Sequence, residues 1–300
     1  MDKYLIVIMG PTAVGKTEVA INIAKEFKTE IVSADARQFY KEMNIGTAKP
    51  SDEQLKEVKH HLINSLNIID NYNAGSFEKD ALKVLDSIYK HHNIVVMVGG
   101  SGLYINAVCY GIDEMPETNT DTRISLSEKY SKEGLQSLVD ELKQVDPDYY
   151  EKVDKANPHR IIRALEVFRN TGLPYSTFLN KEKKLRPFKV IKIGLDMDRK
   201  ELYKRINNRV DLMIEKGLEK EVKSLSDQKL CNSMQTVGYS EWFDYFDGKI
   251  SIDRVIELIK QNSRRYAKRQ MTWFRKDKDI KWFLPEKRDE IVDNIKEEIK

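Results

Sequence analysis

The stretch YLIVIMGPTAVGKTEVA, residues 4–20, constrains the fold of this 300-residue chain more than any other. Tyr4 to Met9 is a continuous run of β-favouring apolar residues, which suits a strand buried on both faces. From Lys16 to Phe27, Val19, Ala20, Ile23, Ala24 and Phe27 recur at helical spacing. Between them, Gly10, Gly15, Lys16 and Thr17 fill every fixed position of G-x-x-x-x-G-K-[ST], enclosing Pro11, Thr12, Ala13 and Val14. The glycines let the backbone curl so that successive N–H groups point inward at phosphate oxygens. The helix that starts there adds its positive dipole end, Lys16 adds a cation, and the Thr17 hydroxyl suits Mg²⁺. The strand–loop–helix context is the one such a site needs. A plain glycine turn is the bland alternative.

Further runs repeat the alternation. Ile31 and Val32 form a second strand ending at Asp35, and Phe77 to Tyr89 reads as a helix. Ile94 to Val98 and Val190 to Leu195 read as strands. Alternating strands and helices imply a parallel α/β sheet with right-handed crossovers. From Glu117 to Leu185 there is no strand run, only helical patterns at Leu126–Leu142 and Ile161–Phe168, the latter stopped by Gly172 and Pro174. The expected organisation is an α/β core over 1–116 and 186–300, with a helical insertion at 117–185. After Asp196 the chain reads as mostly helical, and the charged tail after Pro285 as an exposed or frayed helix.

Composition excludes several classes. At 40% hydrophobic and 33% charged the chain can build a core. Cys109 and Cys231, its only cysteines, make neither a disulfide framework nor a thiolate metal site. No apolar run approaches the roughly 20 residues of a membrane span, and the N-terminus carries no basic leader, so a soluble cytoplasmic protein is expected. The net charge of +3 leaves the question of nucleic acid to local patches.

Asp35 sits where a second strand ends, and ligands of open α/β sheets bind beyond those ends. It can anchor Mg²⁺ through water, take a proton, or cap the next helix. Arg37 and Gln38 follow as phosphate and hydrogen-bonding candidates. GGSGLY at 99–104 places Ser101 at the same edge, unless it is only a tight turn. Arg160 and Arg163 share a helix face, either solvated or set to meet an anionic substrate. Arg205 and Arg209 are i,i+4 neighbours suited to clamping a diphosphate or to surface ion pairs. Arg264 to Lys278 is the most basic stretch, with Tyr266, Trp273 and Phe274 interleaved; its charges suit a phosphate backbone, while its aromatics are expected on the core. Adjacent His60 and His61 make no zinc site, and His91 and His92 belong to a loop.

Taken in order, GPTAVGKT, SADARQFYKEMNIGTAKP, HHLI, GGSGLY, NPHRIIRALE, GLEKEV, VGYSE and RRYAKRQMTWFRK resemble the motifs of the tRNA dimethylallyltransferases, over residues 4 to about 283. The resemblance implies a P-loop kinase-like core with an inserted helical domain. It implies transfer of a dimethylallyl group from dimethylallyl diphosphate to N6 of the adenosine 3′-adjacent to the tRNA anticodon. The loop would then hold the leaving diphosphate with Mg²⁺ and an arginine such as Arg209. Asp35 matches the family's general base and Thr17 a position touching the diphosphate. Asp35, Ala36, Arg37, Gln38, Ser101, Arg123, His159, Arg160, Ile161, Ile162 and Arg163 match its tRNA-contacting segments. Ala36, Ser101 and His159 stand where Ser, Thr and Gln are usual, and the imidazole of His159 has a different donor and acceptor pattern. With no cysteine/histidine zinc-finger tail, the likeness is to the bacterial form, acting as a monomer. A small-molecule kinase using ATP would employ the loop and Asp35 equally well, but leaves the insertion and the basic stretch unexplained. An RNA-binding switch without chemistry would not need Asp35.

Overall fold

Tyr4–Met9 forms strand β1, and all six of its residues are buried. In this computed structural model, which describes residues 2–179 and 183–299, β1 leads into helix α1 (Lys16–Glu26), β2 (Ile31–Ser33), α2 (Asp52–Glu57), β3 (His60–His61), α3 (Ala74–Ile88), β4 (Ile94–Gly99) and α4 (Gly102–Tyr110). A separate compact unit, Gly111–Lys184, follows. It holds α5 (Thr120–Glu133), α6 (Leu135–Val145), α7 (Pro147–Tyr150) and α8 (Pro158–Thr171). The first unit resumes at Leu185 with β5 (Lys189–Leu195), α9 (Arg199–Glu215), α10 (Leu218–Ser224), α11 (Trp242–Phe246), α12 (Ile252–Phe274), β6 (Lys281–Phe283) and α13 (Arg288–Glu298).

The parallel sheet expected from the alternation is borne out, in the order β3-β2-β4-β1-β5-β6. Its register decides where the chemistry can sit. Met9 lies opposite Gly99 of β4 and Gly194 of β5, and Ser33 opposite Val98. The loops that begin at Gly10, Ala34 and Gly100 therefore leave the sheet at one level, on its carboxyl edge. Gly10 is needed for this approach, since a side chain there would start 2.6 Å from the Leu195 carbonyl oxygen. The core of this unit joins Ile6 and Ile8 of β1, Val19 and Ile23 of α1, Val96 of β4, Ile193 of β5 and Leu202 of α9. Each such side chain contributes roughly 1.5–3 kcal/mol when fully buried.

Some expectations need correction. The pattern over Leu126–Leu142 is two helices, because Gly134 takes a left-handed φ of 81° between α5 and α6. His60 and His61, to which the sequence reading assigns no element, form a short strand pairing with Ile31 and Val32. The C-terminal tail is not simply exposed: α13 buries Ile291, Val292 and Ile295, and Ile291 and Ile295 join the sheet core. In the helical unit, α8 starts with Pro158 after the cap Asn157 and ends at left-handed Gly172, the stop read from the sequence. Its core gathers Leu126, Leu138, Leu142, Ile161 and Leu165. Among the described residues no helix is long and apolar enough to cross a membrane.

Candidate active site

The glycine loop is tightly wound. Ala13 (φ 65°) and Gly15 (φ 107°) both take left-handed conformations, which turn backbone N–H groups toward a common centre. Lys16 Nζ donates to the carbonyls of Gly10 (3.0 Å) and Pro11 (2.7 Å). Burial, and after it the charge of Arg209, pulls its pKa down to about 7. Arg209 donates from Nη1 to Thr12 Oγ1 at 3.2 Å, and burial lowers its pKa as well. Arg205, one turn earlier on α9, brings Nη2 to within 3.9 Å of where a side chain on Gly15 would begin. Asp35 supports the charge of both Lys16 and Arg209, but burial outweighs it; cations drawn away from water are costly, and a bound anion would offset more of that cost.

The neighbouring loops supply the opposite charge. Asp35 Oδ1 accepts from the N–H groups of Arg37 (2.9 Å) and Gln38 (3.3 Å), so Asp35 does cap a turn. It also lines the space in front of the glycine loop, so capping does not withdraw it from the cavity. Ser101 Oγ accepts from Ala36 N at 3.1 Å, tying the GGSG loop to Asp35. Gln38 is turned inward: Nε2 donates to the carbonyls of Thr47 and Ala48, both at 3.2 Å. Arg37 donates to the carbonyls of Ala36 and Asn232, and its buried Nε has no partner among the described residues.

A cavity of about 310 Å³ lies between these groups. Thr12, Asp35 and Arg209 line it with polar groups, and Ile206, Val210, Met213, Val237 and Ile259 line it with aliphatic ones. A smaller space of about 40 Å³ adjoins Lys16, Thr17, Asp35, Gln38 and His60. His60 Nδ1 donates to Val58 O at 2.8 Å, so in the neutral ring Nε2 is an acceptor; it has no partner among the described residues, and burial keeps the ring's pKa low. Among the described residues no group of three or more His, Cys, Asp or Glu could hold a metal ion.

In the helical unit, His159 and Arg160 are exposed at the start of α8. Arg163 donates to Thr118 Oγ1 at 2.9 Å and reaches Glu166 at 3.4 Å, while Arg123 approaches the same buried Glu166 at 3.8 Å. Ile161 and Ile162 are buried in the unit's core, which withdraws their side chains from a large ligand. Arg169 forms a bidentate pair with Glu141, at 2.9 Å for each bond.

Several site residues escaped the sequence reading. Glu221 on α10 accepts from the N–H groups of Asn44, Ile45 and Gly46 and from the Tyr239 hydroxyl at 2.6 Å. Gly46, Gly238 and Tyr239 all line the larger cavity. Tyr266 does so too; burial, and Asp35's charge after it, push its phenol up to about 12. Its surface is 36% exposed, and that of Trp273 is 41%, so of the three aromatics only Phe274 packs fully in the core. Gln270 links two of the site's loops. No single-residue signal marks these roles, although GLEKEV, VGYSE and RRYAKRQ all contain them.

A family model described as IPP transferase matches residues 38–277. The chain is 49% identical to tRNA dimethylallyltransferase 1 of Bacteroides thetaiotaomicron, over 97% of this chain and 95% of that one. It is 50% identical to tRNA dimethylallyltransferase of Christiangramia forsetii, over 100% and 99%. Among solved structures, the full-length tRNA isopentenylpyrophosphate transferase of Bacillus halodurans superposes with a TM-score of 0.70 at 38% identity, covering 98% of this chain and 96% of that one. A eukaryotic dimethylallyltransferase captured acting on tRNA gives a TM-score of 0.76 at 26% identity, covering 91% and 70%. Identity near one half over essentially the whole length places this chain in the IPP transferase family, and it belongs there as an enzyme.

Proposed function

We propose that the enzyme transfers a dimethylallyl group from dimethylallyl diphosphate to N6 of the adenosine 3′-adjacent to the anticodon of tRNA, giving N6-isopentenyladenosine. The observation that carries the reading is the lining of the 310 Å³ cavity, where the half-buried Arg37 and Arg209 and the Asp35 carboxylate share one space with the aliphatic side chains of Ile206, Val210, Met213, Val237 and Ile259. A short branched prenyl group attached to a diphosphate combines the same two characters, charged and aliphatic. Each methylene moved from water against Ile206, Val210 and Met213 is worth about 0.8 kcal/mol.

The bond changes follow from that placement. The N6 nitrogen attacks the allylic carbon, and the carbon–oxygen bond breaks with its electron pair going to the diphosphate. The cations Lys16, Arg205 and Arg209, with the loop N–H groups, stabilise the charge that develops there. The amine gives up its proton to the Asp35 carboxylate, or through it to water. Most of the remaining work is alignment of amine and carbon.

Mg²⁺ fits the same site. The Thr17 hydroxyl and the Asp35 carboxylate border one small space, and two protein oxygens suffice for an ion that keeps waters and takes phosphate oxygens. When bound, it would supply a Lewis acid for the leaving diphosphate. For tRNA, the accessible candidates are the Asp35–Gln38 turn, Ser101, His159 and Arg160, with Arg123 and Arg163 beside Glu166. Ile161 and Ile162 would take part only through their backbone.

The test is incubation of unmodified tRNA with the enzyme and either dimethylallyl diphosphate or ATP, followed by mass analysis of the nucleosides. A prenylated adenosine with the diphosphate donor alone is expected. Asp35→Asn should still bind diphosphate but lose roughly a hundredfold or more in transfer. Phosphoryl transfer from ATP, with no prenylated product, would establish a kinase instead.

A further inference from the structure

We infer that Gln270 is a positioning residue: its amide bolts the phosphate loop to the Ser101 loop and so holds the leaving-group cations and the Asp35 carboxylate in one register. The inference rests on the transfer reading above. Gln270 lies on α12 and is 6% exposed. Its Oε1 accepts from Thr12 N at 2.8 Å, and its Nε2 donates to the Gly100 carbonyl at 2.9 Å. Both ends of one planar amide are engaged, so the reversed orientation would set N–H against N–H and oxygen against oxygen.

What each loop carries gives the bridge its meaning. Thr12 receives the Arg209 guanidinium on its hydroxyl. Gly100 precedes Ser101, whose hydroxyl receives Ala36 N, next to Asp35. A continuous line of bonded groups therefore runs from Arg209 through Thr12, Gln270, Gly100 and Ser101 to the Asp35 turn. Gly100 leaves no slack, since a side chain on it would start 2.3 Å from Gln270 Nε2. The bridge also consumes the Thr12 N–H, and Val14 N donates to the Pro11 carbonyl at 3.4 Å, so the remaining N–H groups of the loop are the ones left for phosphate. Helix α12 is already anchored by Val255, Ile259, Ala267 and Phe274, so its attachment does not depend on the amide.

Gln270→Met keeps the length of the side chain and removes both bonds. Gln270→Asn keeps the amide but shortens its reach by one methylene, and decides the matter if the Met variant does not fold. Three quantities are measured: calorimetric affinity for inorganic diphosphate, tRNA affinity at fixed salt, and transfer at saturating substrates. Losing two hydrogen bonds that preorganise the loop should weaken diphosphate binding and slow saturated transfer by about tenfold each. Binding of tRNA should stay within about twofold. In a cycle with Ser101→Ala, the double variant should transfer little more slowly than the worse single one, because both residues act through one line of contacts. Unchanged diphosphate affinity accompanied only by a lower melting temperature would make Gln270 a purely structural residue and overturn the inference, as would fully multiplicative losses in the cycle. The diphosphate measurement needs no prenyl transfer. A wrong donor assignment would instead show as absent transfer in the unaltered enzyme, with the diphosphate effect intact.

Discussion

Lys16 sets the pH behaviour of the phosphate loop. Burial, then the charge of Arg209, brings its pKa from 10.5 to about 7. The folded value lies below the unfolded one, so across that interval the unfolded chain binds more protons. The contribution of Lys16 to stability therefore rises as pH rises from about 7 toward 10.5. A bound diphosphate adds to the counter-charge of Asp35 and raises the lysine's pKa again. Binding should then take up a proton wherever the free lysine is neutral, while the donor's own last proton, with a pKa near 6, is already gone. Diphosphate-ester affinity is expected to be level between about pH 6 and pH 7 and to fall above it, by up to about tenfold per pH unit. Calorimetry near pH 8.5 in two buffers of different ionisation enthalpy should report close to one proton taken up by the enzyme, and none by Lys16→Met. Equal heats for the unaltered enzyme would mean that its lysine is charged before the ligand arrives. The placement of Lys16 and Asp35 at the sheet's carboxyl edge was legible in the sequence because their neighbours in the chain also define their surroundings in the fold. Gln270 and Glu221 were not, since the groups they bond, Thr12, Gly100 and residues 44–46, are remote in sequence and meet them only through the sheet and its helices.

At the scale of elements, the same contrast separates the strands. β1, β4 and β5 are six or seven residues long and apolar enough to be read without tertiary information. The pair His60–His61 and the run Lys281–Phe283 are strands because they complete the sheet's edges at β2 and β5, and nothing in their composition says so. The pattern on either side of Gly134 looks like one helix because the apolar residues keep their spacing while the backbone turns. Helix α13 carries three buried residues among charges, too narrow a stripe to outweigh its polar composition. Short elements can nonetheless govern the site, as α10 does. Its Glu221 gathers three successive N–H groups and the Tyr239 hydroxyl, and the carboxylate's charge is one reason the Tyr239 pKa is raised, after burial. Hydrogen bonds to a charged group are worth about 1.5–3 kcal/mol, so Glu221→Ala should lose roughly 3 kcal/mol of stability. Backbone amide exchange at Asn44, Ile45 and Gly46 should accelerate well beyond that of β1. If exchange at those amides stayed at the unaltered rate, some other contact would be holding the cavity's wall.

Across the whole molecule, 51 basic residues nearly balance 48 acidic ones, so binding a polyanion must depend on where charge is concentrated. The exposed side of α12 is such a place. Arg265, Lys268 and Arg269 are exposed there, and Arg269 lies over the Tyr266 ring at 5.7 Å. Arg264 differs: it is half-buried and donates to Asn207 Oδ1 at 2.6 Å, which commits it to α9. Glu257, a candidate surface partner for these arginines, instead pairs with Arg254 at 3.0 Å. If the exposed cations meet tRNA phosphates, each contact releases condensed counterions and adds about 0.9 to the slope of log affinity against log salt on duplex, or about 0.7 on single strands. Arg265→Gln combined with Lys268→Gln should therefore weaken tRNA binding and flatten that slope by about 1.4–1.8, with diphosphate affinity unchanged. Arg264→Gln should lower the melting temperature and leave the slope alone. Titrations of tRNA at several salt concentrations compare the three proteins directly. Parallel lines for the double variant would remove α12 from the RNA contact and leave Arg160, exposed at the start of α8, as the next cation to change. A flattened slope would place Gln270 on a helix that binds tRNA on its outer side and holds both catalytic loops on its inner side. Binding of the acceptor and order in the donor loop would then be properties of one rigid element.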